Sequence, residues 1–236
     1  MKKAFVFGSN YKGTDAELSA CVSDCERIRD RFKSRGYHVE EYIQETVLSW
    51  RDIKPKLVAF IKSLNRGNVG VVYYSGHGFQ LPDVNGDEKD GKDEAIYFSK
   101  GDWVGDDELR QIFQQAKLGV NLFLMFDCCH SGTMADLPLR LDNLKVVREN
   151  NFRFRANVLS ISGCADPNLS YENSKSGFLT EAFLQVFEKW TPKVHTTRQW
   201  VDLFVQISSH LVKASGGVQK PALAFNSLAT LRKVWL

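Results

Sequence analysis

Long apolar runs are missing from this sequence. None approaches the roughly 18 residues that a membrane-spanning helix needs, so no membrane partner is expected. An excess of one charge is missing too: 31 Lys and Arg stand against 28 Asp and Glu, a net +3 spread along the chain. That balance gives no electrostatic reason to expect a nucleic acid partner. Cysteine is scarce and ill-suited to a disulfide framework: there are five, an odd number, with Cys128 and Cys129 adjacent and no Cys-x-x-Cys pair. Cys21 and Cys25 lie four apart without the partners a zinc site needs. Free thiols in a reducing, cytoplasmic compartment are expected. The apolar stretch after Met1-Lys2-Lys3 is too short for a signal peptide and reads as a first strand. Proline numbers only 6, and neither an internal repeat nor a low-complexity segment is found, which excludes collagen-like and disordered architectures.

What is there is an ordinary globular balance, 43% hydrophobic and 25% charged over 236 residues. That length suits one large domain. Strands are predicted over 3–8, 37–43, 69–74, 120–126, 157–161 and 221–225, and helices over 17–35, 50–64, 106–117, 176–189 and 197–213. The first helix rests on Leu18, Cys21, Val22, Cys25, Ile28 and Phe32, spaced by three and four, with Gly36 as its stop. Strands that are apolar throughout, alternating with helices, predict an α/β sandwich with a mostly parallel central sheet. Residues 137–156 are weakly patterned and basic, with Arg140, Lys145, Arg148, Arg153 and Arg155. Residues 138–156 are expected to be an exposed linker between a larger front part, 1–137, and a smaller back part, 157–236, of a single domain.

Sites in parallel sheets gather beyond the carboxyl ends of strands. Three apolar strands here end in glycine-containing polar clusters that hold His77, Cys129 and Cys164. A cysteine attacks as its thiolate and needs a base or a charged partner. His77 stands between Gly76 and Gly78, which permit a sharp turn and close approach of substrate. Cys129 follows the next long strand, 52 residues on, before Ser131-Gly132. A backbone N–H there, with one from the His77 loop, can form an oxyanion hole. Alone, a Gly-His-Gly is most often a turn and a buried Cys most often packing. Together, each at a strand end, they read as base and nucleophile. Asp127, two residues before Cys129, would be costly at a buried strand end without a cationic partner, which favours a pocket for Arg or Lys. Asp83, Asp87, Glu88, Asp90, Asp93 and Glu94 crowd one short stretch. They do not fall in EF-hand register, and they read either as a solvated acidic turn or as hard oxygen ligands for calcium. Asp106 and Asp107 can equally cap the third helix.

Tyr74-Ser75-Gly76-His77-Gly78 and Asp127-Cys128-Cys129-His130-Ser131-Gly132 resemble the two catalytic motifs of metacaspases, the caspase-like cysteine peptidases of plants, fungi, protists and bacteria. Caspases likewise carry their histidine about 50 residues before the cysteine. Asn10-Tyr11-Lys12-Gly13-Thr14 with Leu18, Cys21 and Asp24 is similar to the family's opening segment. Asn85-Gly86-Asp87-Glu88, Asp93-Glu94-Ala95 and Asp106-Asp107-Glu108-Leu109 resemble its acidic loop, Ile161 through Asp166 the start of its small subunit, and Gln219-Lys220-Pro221 its last strand.

The resemblance implies the caspase-hemoglobinase fold, with Cys129 as nucleophile and His77 as base and acid, while Cys128 occupies a variable position. It implies a substrate pocket of Asp24, Ser75 and Asp127 that takes Arg or Lys, where caspases place a glutamine at the position of Asp127. It implies activating Ca2+ on Asp90, Asp106, Asp107 and Asp136, and a monomer acting on protein or peptide substrates, of the type without a proline-rich prodomain. An enzyme of that specificity can cut its own basic linker, at Lys145 or Arg148. The competing readings are a non-catalytic caspase-like scaffold, which requires a broken dyad, and an asparagine-directed peptidase or ligase, against which Asp127 argues.

Overall fold

The computed structural model describes residues 1–82, 92–129, 134–163, 172–173, 176–189, 197–217, 219–231 and 236. Its strands are β1 (Lys2–Ser9), β2 (His38–Gln44), β3 (Val69–Ser75), β4 (Gly78–Pro82), β5 (Lys92–Ser99), β6 (Asp102–Gly105), β7 (Asn121–Asp127), β8 (Leu139–Asp142), β9 (Lys145–Arg148), β10 (Asn157–Ser162), β11 (Glu172–Asn173), β12 (Ser176–Gly177) and β13 (Ala222–Phe225). The helices are α1 (Cys21–Ser34), α2 (Trp50–Ser63), α3 (Asp106–Phe113), α4 (Phe178–Lys189), α5 (Thr197–Ala214) and α6 (Leu228–Leu231).

Eight strands form the central sheet, in the order β2-β1-β3-β7-β10-β13-β8-β9. Pairing is parallel from β2 across to β10 and antiparallel from β10 onward. The sheet is therefore mixed, mostly parallel as the apolar strand runs predict, with an antiparallel flank. Every residue of β3 is buried, and so are all but the ends of β7. A strand covered on both faces reads as an unbroken apolar run, which is why these were visible in the sequence.

Alternation divides the core in two. Val71, Tyr73, Phe123, Met125, Leu159 and Ile161 face a cluster with Ile28 and Phe32 of α1, Phe183 of α4 and Trp200 of α5. Val72, Tyr74, Leu122, Leu124, Phe126 and Val158 face the other side, with Trp50, Ile53, Leu57 and Phe60 of α2 and Leu109 and Phe113 of α3. The result is helix, sheet and helix in three layers. No described helix is long and apolar enough to cross a membrane.

Two regions depart from expectation. Gly78–Pro82, Lys92–Ser99 and Asp102–Gly105 build a second sheet, β4-β5-β6, which the Tyr97 N–H ties to the His77 carbonyl just beyond β3. Part of the expected linker is a hairpin: β8 and β9 pair with each other, and β8 pairs with β13, extending the central sheet. Its turn residues Asn143 and Leu144 have φ of 46° and 63°. The left-handed conformation at both positions matches strand twist in two-residue hairpins.

Candidate active site

β3 and β7 are adjacent and in register, with Ser75 opposite Asp127. Their carboxyl ends therefore deliver the Gly76–Gly78 turn and the Cys128–Cys129 turn side by side. Gly76 N–H donates to the Asp127 carbonyl at 3.4 Å. The Cα of Gly78 packs against the Cys129 carbonyl so closely that a Cβ there would collide with it. Glycine at 78 is thus required by the approach of the two tips. Cys129 is partly exposed, whereas Cys128 is buried. Cys25 is fully buried, and burial pushes its thiol well up.

His77 is held from three sides. Its Nε2 lies 2.8 Å from the Ala16 carbonyl oxygen. A carbonyl only accepts, so Nε2 carries the proton and Nδ1 the lone pair. The His77 N–H donates to the Tyr11 hydroxyl at 3.1 Å, and the His77 carbonyl accepts from the Tyr74 hydroxyl at 2.9 Å and the Tyr97 N–H at 3.0 Å. The two hydroxyls are 2.9 Å apart, and Tyr11 donates to the Tyr97 carbonyl at 2.8 Å. Tyr11 has no exposed surface and a φ of 54°, a rare conformation for an aromatic residue. Burial pushes its hydroxyl up to about 12, so it stays protonated. In the sequence Tyr11 stands only within a motif, and nothing in the spacing reveals that its hydroxyl reaches His77.

The loop that supplies Ala16 explains why α1 starts at residue 21 and not at 17. Leu18 N–H goes to the Asn10 carbonyl, and Asn10 Oδ1 accepts the Val22 N–H at 3.1 Å, satisfying the start of the helix from outside. The Asn10 amide also donates to Glu45, tying the loop to the end of β2.

Asp24 and Asp127 meet at the start of α4. Asp24 is fully buried, and its Oδ2 accepts the Gly177 N–H at 2.6 Å. Asp127 Oδ2 accepts the Thr180 N–H at 2.9 Å and the Thr180 hydroxyl at 2.5 Å. Tyr73 completes this relay by donating to Thr180 Oγ1 at 2.6 Å. The two carboxylates are close enough to the same groups that both raise the proton affinity of Cys25 and Tyr73. Arg27 stands at the margin, 3.8 Å from Asp24 and 2.7 Å from Glu181. Ser75 is buried beside them. Gly177 and Thr180 had no distinguishing signal in the sequence.

The acidic group is only partly assembled. Asp106 is buried, its Oδ2 accepting the Glu94 N–H at 2.7 Å and its Oδ1 the Asp107 N–H at 2.8 Å. Burial, then the neighbouring Asp136 and Glu94, push its carboxyl up to about 8. Arg110 bridges the other two carboxylates, bonding Asp107 and reaching Asp136 with Nε at 3.0 Å. Among the described residues no group of three or more His, Cys, Asp or Glu side chains is placed to hold a metal ion. The chemistry of this donor set, oxygen ligands with Asp106 raised by burial and by its acidic neighbours, fits a hard cation. Its placement, with a guanidinium between two of the three, does not yet form a cage. Asp83, Asp87, Glu88, Asp90, His130, Ser131, Gly132 and Cys164 lie outside the described residues. Lys145 and Arg148 are exposed on β9, at the edge of the sheet.

Comparison with known proteins agrees with this geometry. The caspase domain profile matches residues 1–231. Metacaspase-1 of Cryptococcus neoformans is 28% identical over 201 residues, covering 80% of this chain and 43% of that protein. Metacaspase-1 of Saccharomyces cerevisiae is 32% identical over 167 residues, covering 64% of this chain and 38% of that protein. The chain thus spans about two fifths of the length of these relatives. A crystal structure of a Geobacter sulfurreducens protein superposes with a TM-score of 0.72 at 24% identity, covering 99% of this chain and 97% of that one. Caspase-1 of Spodoptera frugiperda superposes at 0.62 and 13% identity, covering 96% of this chain and 86% of that one, which establishes the shared fold. With the eight-stranded sheet, the paired strand tips and a profile that runs nearly end to end, the chain belongs to the caspase domain family and is metacaspase-like.

Proposed function

We propose that this chain is a monomeric cysteine endopeptidase that cuts polypeptides after Arg or Lys. The observation that carries the reading is the pair of carboxylates, Asp24 and Asp127, gathered at Gly177 and Thr180 beside the tips that bear His77 and Cys129. Gly177 and Thr180 give these carboxylates neutral donors, and Arg27 stands at the margin, 3.8 Å from Asp24. The paired carboxylates favour a cationic substrate side chain and repel an acidic one.

In the reaction, Nδ1 of His77 takes the thiol proton of Cys129, while the Nε2 bond to Ala16 holds the ring and its tautomer. The thiolate attacks the scissile carbonyl carbon. Its oxygen becomes an oxyanion, received by backbone N–H groups of Cys129 and Gly78; the His77 N–H is already given to Tyr11. His77 then protonates the departing amine, the C–N bond breaks, and a thioester remains. Water, deprotonated by His77, releases the acid and restores the thiol.

Asp106, Asp107 and Asp136, with Asp90, would be the residues to hold a calcium ion, which would supply charge balance to the surrounding loops and no part of the chemistry. Self-processing belongs to the same reading, at Lys145 or Arg148. It requires β9 to leave β8, because both residues are paired there.

The test is a panel of fluorogenic peptides with Arg, Lys, Asp or Asn before the scissile bond, run with calcium and with chelator. Turnover is expected after Arg and Lys only, with calcium, abolished in Cys129→Ala and largely retained in Cys128→Ala. Cleavage only after Asp or Asn overturns the pocket. Full turnover in excess chelator removes the metal, and no turnover of any peptide favours a scaffold.

A further inference from the structure

We propose that the outward face of the β4-β5-β6 sheet is an aromatic subsite for the substrate residues that follow the scissile bond, and that it selects aromatic and large apolar side chains there. The inference rests on the peptidase reading and extends it to the leaving side of the substrate.

Register decides which residues face out. Phe79 pairs with Ala95, Ala95 with Gly105, and Tyr97 with Trp103, while Ile96 pairs with Gly78 and Val104. Ile96, Phe98 and Val104 are buried in the core on the α2–α3 side. Alternation then places Phe79, Ala95, Tyr97, Trp103 and Gly105 on the opposite face. Trp103 is 45% exposed, and Phe79 and Tyr97 are half-buried. A sheet face turned to water ordinarily carries polar side chains at these positions, and three successive rings mark it as a surface meant to be covered.

The rings form a path that begins at His77. Its ring lies 6.1 Å from Tyr97, Tyr97 lies 6.2 Å from Phe79, and Phe79 lies 6.2 Å from Trp103. All three contacts are edge-to-face, at 80°, 83° and 85°. This is a favourable arrangement for aromatic pairs, and it holds each ring in place before anything binds. Ala95, fully buried on this face, and Gly105 add no bulk between the rings.

The chemistry of the general acid fixes what passes over this path. His77 must touch the nitrogen of the leaving amine, so the first residue after the cut lies against His77. His77 itself stands between the two surfaces. On one side Gly76 N–H reaches the Asp127 carbonyl, and on the other the His77 carbonyl takes the Tyr97 N–H. A substrate whose cationic side chain enters the carboxylate pocket therefore runs its leaving portion towards Tyr97, Phe79 and Trp103. At about 3.3 Å per extended residue, the first two to four residues after the cut cross these rings.

The experiment uses internally quenched peptides that are identical up to the scissile Arg and continue with Gly-Gly, Phe-Gly, Gly-Phe or Asp-Gly. Each is cleaved by the wild-type protein, by Trp103→Ser and by Phe79→Ser. The wild type is expected to favour a Phe-containing leaving portion about tenfold in kcat/KM over Gly-Gly, mainly through KM. Both substitutions are expected to bring that ratio towards one. A wild-type ratio of one, a preference for Asp-Gly, or a Phe preference untouched by both substitutions overturns the inference while leaving the peptidase reading intact. A wild type that cleaves none of the peptides overturns the peptidase reading and this inference with it.

Discussion

Tyr11 spends its single hydroxyl on three groups: it receives the His77 N–H, touches the Tyr74 hydroxyl and donates to the Tyr97 carbonyl. Replacing it with Phe removes one oxygen and leaves the His77 N–H without that acceptor, at a cost of about 1–3 kcal/mol. The burden falls on the placement of the imidazole. Tyr11→Phe is therefore expected to lower kcat roughly tenfold with little change in KM. Steady-state kinetics on an Arg peptide check this; an unchanged kcat would deny Tyr11 any part in positioning the base. Legibility at this scale was uneven. His77, Cys129 and Asp127 could be proposed because a nucleophile, a base and a carboxylate stand out by type and by their place at strand ends, whereas Asp24, on α1, came only through the resemblance. Tyr11, Ala16, Gly177 and Thr180 could not, because a phenol in a loop, a main-chain carbonyl, and a glycine and threonine opening a helix look the same in sequence whether or not they support a site.

At the scale of elements, the β8–β9 hairpin carries a defect that can be repaired. Leu144 occupies a left-handed turn position at φ 63° while 66% exposed, so its side chain gains little from packing. Leu144→Gly exchanges that strain for some chain entropy and is expected to stabilise the protein by about 0.5–1 kcal/mol. A rise in the urea midpoint at constant slope would establish this, and an unchanged or lower midpoint would count against it. The same substitution should slow any cut after Lys145, since β9 must separate from β8 first. This hairpin reads as a linker in the sequence because its strands are short, basic and exposed along one face. Such an edge strand offers neither an apolar run nor a clean alternation. The β4-β5-β6 sheet escaped notice for a related reason: its outward aromatics mask the period of two.

For the molecule as a whole, the core keeps an unusual store of buried phenols. Burial holds the hydroxyls of Tyr73 and Tyr74 well above their ordinary range, raises Tyr37 as well, and pushes Tyr11 up to about 12. The sign of the consequence follows from proton counting. Above pH 10 the unfolded chain releases phenolic protons that the folded chain retains, so stability falls as pH rises from that point. Urea midpoints are expected to be little affected by these groups below pH 10 and to drop steeply between about pH 10 and 12. The tyrosinate absorbance of these four residues should appear together with unfolding and not before it. A native protein that ionises most of its tyrosines near pH 10 would contradict the packing described.

The main-chain oxygen of Ala16 has a consequence for anyone who scans this protein by mutation. In a triad, the group that steers the imidazole is a side chain and can be deleted. Here it is part of the peptide backbone, present whatever residue is encoded at position 16. A residue-by-residue survey is therefore expected to miss this participant. Only an insertion, a deletion or a proline that reroutes the loop can reveal it.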